Sequence, residues 1–426
     1  MRKLGIFAAI ALLSVSSTLF AQGATKSISQ RPMTLVARLS PSDQTVSMVI
    51  RGKMIYLIGT LTGVVSTDGY VQALDSAGSV KWSLPLDNGS NEIATAASFD
   101  PHGNMWVVGS SQMANISPSP IASPSPSNTA QPSPSPTQTV TSTPTVLNPD
   151  GITADPILPI RKDLTVLTLW KVSPAGVLLA TYLKEIVAPF LVRGVIFANN
   201  SINVVGIIGT ATGHAGFLIQ SDLAGSIGKP VLIGKSDTEL NALAKKSDGS
   251  LMLLGSSSET IAKRVGIGKK DGILIVISKV GKTSSVVRSS NAASTRSWQS
   301  GTNSLFFGGD VIGSGKQEAV ITKFASTLIP SWTMRFASTG PALTADSQTS
   351  HFFAFPSNGA VTGVKGWKPG KSSALILNVD SKGALTGAFG ALPVATPIAI
   401  GFSRELGVVL LGRGPTGVSV FHTLPR

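Results

Sequence analysis

The chain contains no cysteine, which excludes both disulfides and thiolate metal sites. Histidine is nearly as scarce. The four residues are His102, His214, His351 and His422, and none falls at H-x-x-x-H or H-E-x-x-H spacing, so no nitrogen-ligated zinc site is expected. Charged residues make up only 13% of the composition, and long segments with a 3.6-residue apolar period are missing, which argues against a helical bundle. Catalytic signatures are absent too. The sequence has no G-x-S-x-G elbow, and the glycine-rich runs Gly266-Ile267-Gly268-Lys269-Lys270 and Gly313-Ser314-Gly315-Lys316 are not phosphate loops. Asp248-Gly249 lacks the flanking acids of a calcium loop. No catalytic residue can be named, and no metal or cofactor is expected.

What is present begins at the N-terminus. Arg2 and Lys3 precede Leu4–Leu13, a stretch without a polar side chain, and Ala21-Gln22-Gly23 places small residues as a cleavage site requires. Residues 1–23 are therefore expected to be a signal peptide, with an uncleaved anchor as the alternative. Later in the chain the most apolar stretch, Val177–Phe197, is broken by Lys184, Glu185 and Arg193, so no transmembrane span is expected in the mature chain. The expected location is exported, either secreted or associated with the cell envelope. Basic residues exceed acidic ones, 35 to 21, which favours anionic partners through the overall field.

Apolar runs of strand length recur with turn residues between them. In one hairpin a turn leads into an apolar run closed by glycine: Met54–Ile58 with Gly59, Met105–Val108 with Gly109, Ile202–Val205 with Gly206 and Leu251–Leu254 with Gly255. Gly308 and Gly412 close two further copies, and Ala354 takes the glycine's place in another. The second hairpin carries Asp or Ser three residues before Gly, as at Asp75/Gly78, Ser173/Gly176, Asp222/Gly225, Ser278/Gly281 and Asp380/Gly383. There the side-chain oxygen can bond turn amides while glycine takes the positive φ. A degenerate copy at Ala325–Leu328 has neither mark. The closing positions repeat about every 50 residues, except between Gly109 and Gly206, where a Pro/Ser/Thr-rich segment at 115–159 intervenes. Its composition cannot bury enough apolar surface to order itself, and it is expected to be a disordered insertion within the second repeat.

Four short strands per repeat at this period predict an all-β fold, a β-propeller of seven four-stranded blades spanning residues 32–424. Counting strands leaves one short at the C-terminus and one spare, Thr34–Leu39, before the first blade. The ring is therefore expected to close by pairing Thr34–Leu39 with Gly417–Thr423. The run Ala73-Leu74-Asp75-Ser76-Ala77-Gly78-Ser79-Val80-Lys81-Trp82 resembles the A-x-D-x-x-x-G-x-x-x-W repeat of quinoprotein-like (PQQ-type) propellers, with one residue fewer between Asp and Gly. That resemblance implies a tryptophan docked between adjacent blades. Only Trp82 and Trp332 stand four residues past the turn; elsewhere the position holds Ala180, Lys229, Ser285 or Gly387. The resemblance covers the fold, and quinone chemistry does not follow from it.

In such a ring the B–C and D–A loops share one face, and here those loops are basic. Lys263, Arg264, Lys269 and Lys270 lie in one long loop, and Lys365, Trp367, Lys368 and Lys371 in another. His214 opens a C strand after a glycine-rich run. These are the candidate binding residues. Basic charge with an interleaved tryptophan suits an anionic polymer by charge and stacking, although solvated loops of a basic protein look the same. The function expected is a non-catalytic binding or scaffolding module at the envelope, monomeric, engaging an envelope protein or an anionic polymer rather than nucleic acid. The alternative is a quinoprotein-like or hydrolase/lyase-type enzyme with a central pocket.

Overall fold

The computed structural model describes residues 27–40, 43–62, 66–113, 161–347, 349–369 and 371–423. The expected signal peptide and the segment 115–159 lie outside the described residues. Seven antiparallel meanders are present, each an A-B-C-D succession of strands, and no helix occurs among the described residues. Blade 1 runs Asp43–Arg51, Met54–Thr62, Thr67–Leu74, Val80–Leu86. Every A strand touches the A strand of both neighbouring blades, so the A strands form a complete inner ring. The fold is a seven-bladed β-propeller.

Closure takes place where the strand count placed it. Thr34–Arg38 pairs antiparallel with Gly417–His422 and becomes the outer strand of blade 7. The residues just before it add something the sequence did not suggest. Ile28–Ser29 pairs in parallel with Val364–Lys365, and Arg31–Pro32 pairs in parallel with Phe389–Gly390 on the outer strand of blade 6. The N-terminal segment thus straps blade 6 before it completes blade 7.

The closing glycine has a clear cause. Six of the seven A–B pairs carry a register shift in strand A, and at that shift strand A approaches strand B closely. A Cβ at Gly59, Gly109, Gly206, Gly255 or Gly309 would collide with the carbonyl oxygen of Gln44, Ile93, Leu191, Glu239 or Ser297. In blade 5 it is Gly309, one residue beyond the Gly308 expected from the repeat, that pairs beside the bulge. Blade 6 is the exception that fits the rule. It has Ala354 at this position, and its short A strand, Leu343–Asp346, pairs without a shift. Bulge and glycine are thus one feature.

The C–D turns behave as expected. The Asp75 carboxylate accepts the amides of Ala77 and Ser79 at 2.9 Å, and Gly78 has φ 83°. The degenerate copy keeps the same shape without either mark, since Leu328 itself adopts φ 63°. These turns seat the interblade aromatics. Gly176 of blade 2 lies against the ring of Trp82 on the outer strand of blade 1, and Gly383 lies against Trp332, whose Nε1 donates to the Ser381 carbonyl at 3.1 Å. At the blade 2–3 junction the docking residue is Tyr182, two residues past Ala180 and so on the same strand face. It packs on Gly225 and stacks on Trp106, with centroids 5.6 Å apart. Between the faces, strands such as Leu251–Ser257 and Asp271–Ile277 are buried along their whole length. Truncating a fully buried leucine such as Leu253 would cost about 2–5 kcal/mol.

Candidate binding face

The loop of blade 4 between strands Leu251–Ser257 and Asp271–Ile277 is ordered from inside. Asp271 is fully buried, accepts the amides of Ile267 and Gly268 at 3.0 Å, and pairs with Arg288 at 3.0 Å. Burial opposes ionisation of Asp271, but these amide bonds and Arg288 hold its carboxyl below the ordinary value. Arg288 projects from the outer strand Thr283–Ser289 and donates to the carbonyls of Ser257, Arg264 and Glu259. One guanidinium therefore ties three points of the loop. A planar fork with five donors can do this, and a lysine cannot.

The same loop reaches across to blade 3 through Glu259. Its carboxylate receives the amides of Lys235 (2.9 Å), Ser236 (3.1 Å) and Asp237 (3.2 Å) and the hydroxyls of Ser236 (3.1 Å) and Thr238 (2.6 Å). Desolvation pushes the Glu259 pKa up, but this set of donors overrides it and lowers the carboxyl to about 2. The loop at 234–238 is wrapped around a carboxylate supplied by its neighbour.

The candidate residues fall into three groups. Lys270 and His214 come together at the junction of blades 3 and 4, but around carboxylates. Lys270 Nζ sits 2.6 Å from Asp237 and 2.8 Å from Glu239, while His214 Nε2 lies 3.7 Å and 3.4 Å from the same two groups. Burial again opposes ionisation of Glu239, and the adjacent His214 and Lys270 overcome it, holding its carboxyl at about 2. Lys270 is raised because Glu239 and Asp237 outweigh its burial. Its charge is matched locally and is not offered to a partner.

Lys263, Arg264 and Lys269 form the second group, exposed along the blade 4 loop. Between them stand Val265 and Ile267, 70% and 75% exposed. Ala262 and Lys263 take positive φ of 46° and 67°, so the tip is held in a conformation that L-residues seldom adopt. The third group is on blade 6, beyond the intervening blade 5. There Lys365, Lys368 and Lys371 are exposed. Trp367 is not: it is 2% exposed, packs in the blade core and donates to Ser357 at 3.0 Å. The N-terminal strap draws this loop toward the outer edge, where Gly390 closes on the Trp367 ring. The ring has no free face for stacking, because its apolar area is needed to anchor a long loop.

Sequence reasoning did not find Asp237, Glu239, Glu259, Asp271 or Arg288. Asp271 also accepts amides three and four residues back, but the ion pair with Arg288 and the contacts of Asp237, Glu239 and Glu259 span at least 17 residues, so no local spacing marks them. The only signal was their rarity in a chain with 21 acidic residues.

No family model matches this chain, and no curated protein matches it in sequence. Similar solved structures are many and distant. They include the WD40 domain of Toxoplasma gondii coronin (TM-score 0.47, 12% identity, covering 95% of this chain and 88% of that one). YCF48 bound to D1 peptide is similar at TM-score 0.46 and 10% identity, covering 95% and 99%. The β-propeller domain of the trilobed protease from Pyrococcus furiosus is similar at TM-score 0.42 and 8% identity, covering 90% and 94%. These are likenesses of fold. No helix among the described residues is long and apolar enough to cross a membrane.

Proposed function

We propose that this protein is an exported, non-catalytic binding module of the cell envelope, and that it engages an acidic protein surface through the blade 4 loop. The observation that carries this reading is the tip Lys263-Arg264-Val265-Gly266-Ile267-Gly268-Lys269, which presents exposed cations and exposed aliphatics on a backbone fixed by Arg288, Asp271 and Glu259. A simple polyanion would call for charge alone. Two aliphatic side chains held out in water, on a loop with its ordering entropy already met, suit a partner that is both acidic and partly apolar. The N-terminal residues 1–23 support export.

The test is retention of envelope proteins on the immobilised mature chain across a salt series. Two variants are compared with the native loop, one with Lys263, Arg264 and Lys269 changed to Ser and one with Val265→Ser and Ile267→Ser. Both should lower retention, and the first should also flatten its salt dependence. Equal retention by both variants and the native chain would remove this loop from the binding face.

A further inference from the structure

The junction of blades 1 and 2 gathers three carboxylates from separate segments. Asp68 lies at the start of strand C of blade 1 (Thr67–Leu74), Asp87 just past its outer strand (Val80–Leu86), and Glu92 opens strand A of blade 2 (Glu92–Phe99). One oxygen from each lies within 4.8 Å of the others. Glu92 is 0% exposed. Its Oε1 accepts the Ser90 hydroxyl at 2.7 Å, but Oε2 has no hydrogen-bond partner among the described residues. Nor does any described cation pair with the three. Arg161, which touches Thr67 at 3.4 Å, is paired with Asp163.

A fully buried carboxylate with one unpartnered oxygen, gathered with two further carboxylates, is costly unless something positive completes it. At the junction of blades 3 and 4 the same kind of gathering, His214, Asp237 and Glu239, has that positive group built in as Lys270 Nζ. We infer that the Asp68, Asp87 and Glu92 carboxylates form a divalent-cation site, and that calcium is the ion it takes. The donors are all oxygens, which selects a hard cation over zinc or copper. Oxygens at about 2.4 Å from one calcium ion lie no more than roughly 4.8 Å apart, and these three carboxylates meet that limit. Asp87 sits on an exposed loop, so the ligand set can adjust, as calcium tolerates and magnesium does not. Water completes the shell.

The experiment is calcium titration of the metal-stripped chain, followed by calorimetry and by thermal unfolding, with magnesium and zinc as parallel arms. One calcium should bind with Kd on the order of 0.1–1 mM. At about 10 mM calcium Tm should rise by roughly 3 °C. Asp87→Asn, at an exposed position, should weaken binding at least tenfold without loss of fold, whereas Glu318→Gln, half-exposed on blade 5, should leave it unchanged. Glu92→Gln should raise the Tm of the metal-free protein and abolish its response to calcium. No calcium heat or Tm shift would overturn the site. So would a response retained in both Asp87→Asn and Glu92→Gln, or a response to zinc alone.

Discussion

Glu92 and Glu259 are carboxylates at two junctions of the same ring, and they meet opposite fates. Glu92 opens strand A of blade 2 just after the D–A connection, whereas Glu259 reaches the D–A connection into blade 4 from that blade's own B–C loop. Register places Glu92 opposite Ser111 and Thr238 opposite Ser257, and both of these partners lie two residues past the closing glycines Gly109 and Gly255. Glu92 therefore occupies the place that Thr238 fills in blade 4. Around Thr238 the connection is short and curls its amides inward onto Glu259, whose carboxyl falls to about 2. Glu92 itself is fully buried, and burial first, with Asp87 and Asp68 adding to it, lifts its carboxyl to about 7. One carboxylate is met by inward-turned amides and hydroxyls, the other by burial and further acids.

The widest contrast is in pH dependence. Between pH 4.5 and about 7 the native chain holds a proton on Glu92 that the unfolded chain releases, so this group's contribution to stability falls as pH rises through that window. The loss should reach on the order of 3 kcal/mol, and Glu92→Gln should remove it, as read from urea midpoints across pH in chelator. A native slope unchanged by Glu92→Gln would break the contrast. Next in size is Lys270→Met, which leaves Asp237 and Glu239 facing each other without their ammonium. A fully buried pair would lose about 3–5 kcal/mol; with partners about a third exposed, about 2 kcal/mol is expected by urea unfolding. A loss below about 0.5 kcal/mol, ordinary for a surface change, would mean that Lys270 is a bystander. Last is Glu259→Gln, which keeps one acceptor oxygen but turns an NH2 toward amides that need an acceptor; with the carboxylate partly exposed, it should cost about 1–2 kcal/mol at neutral pH. Because the Glu259 pKa is depressed, its contribution is complete above pH 4.5 and is lost toward pH 2, so the variant should also blunt acid unfolding over that range.

The fold was legible because its repeating marks have local causes. A closing glycine reports a bulge, and Asp-x-x-Gly reports a turn that needs a side-chain acceptor and a positive φ. Even the lapses are instructive. Leu328 shows that the ring imposes the turn where the sequence does not ask for it, and Tyr182 shows that a docking aromatic can move by two residues and keep its face. The binding face was read less well. Lys263, Arg264 and Lys269 are exposed as a basic loop suggests, but Trp367 was read as a platform when it is an anchor, and Lys270 as free when it is paired. Charge and aromaticity are visible in a sequence. Whether a side chain points toward water or toward a partner 30 residues away is decided only when blades meet.

The pairing of Thr34–Arg38 with Gly417–His422 sets an order of events. The first strand of the ring to be made is the partner of one of the last. Until the second is available, the earlier strand has only an open edge to offer, and blade 7 has no outer wall. Joining segments so far apart is slow, because chain entropy is lost before the contact is gained. The seam therefore works as a length check: a chain cut short between Ala391 and Gly417 keeps six whole blades and still cannot shut its ring.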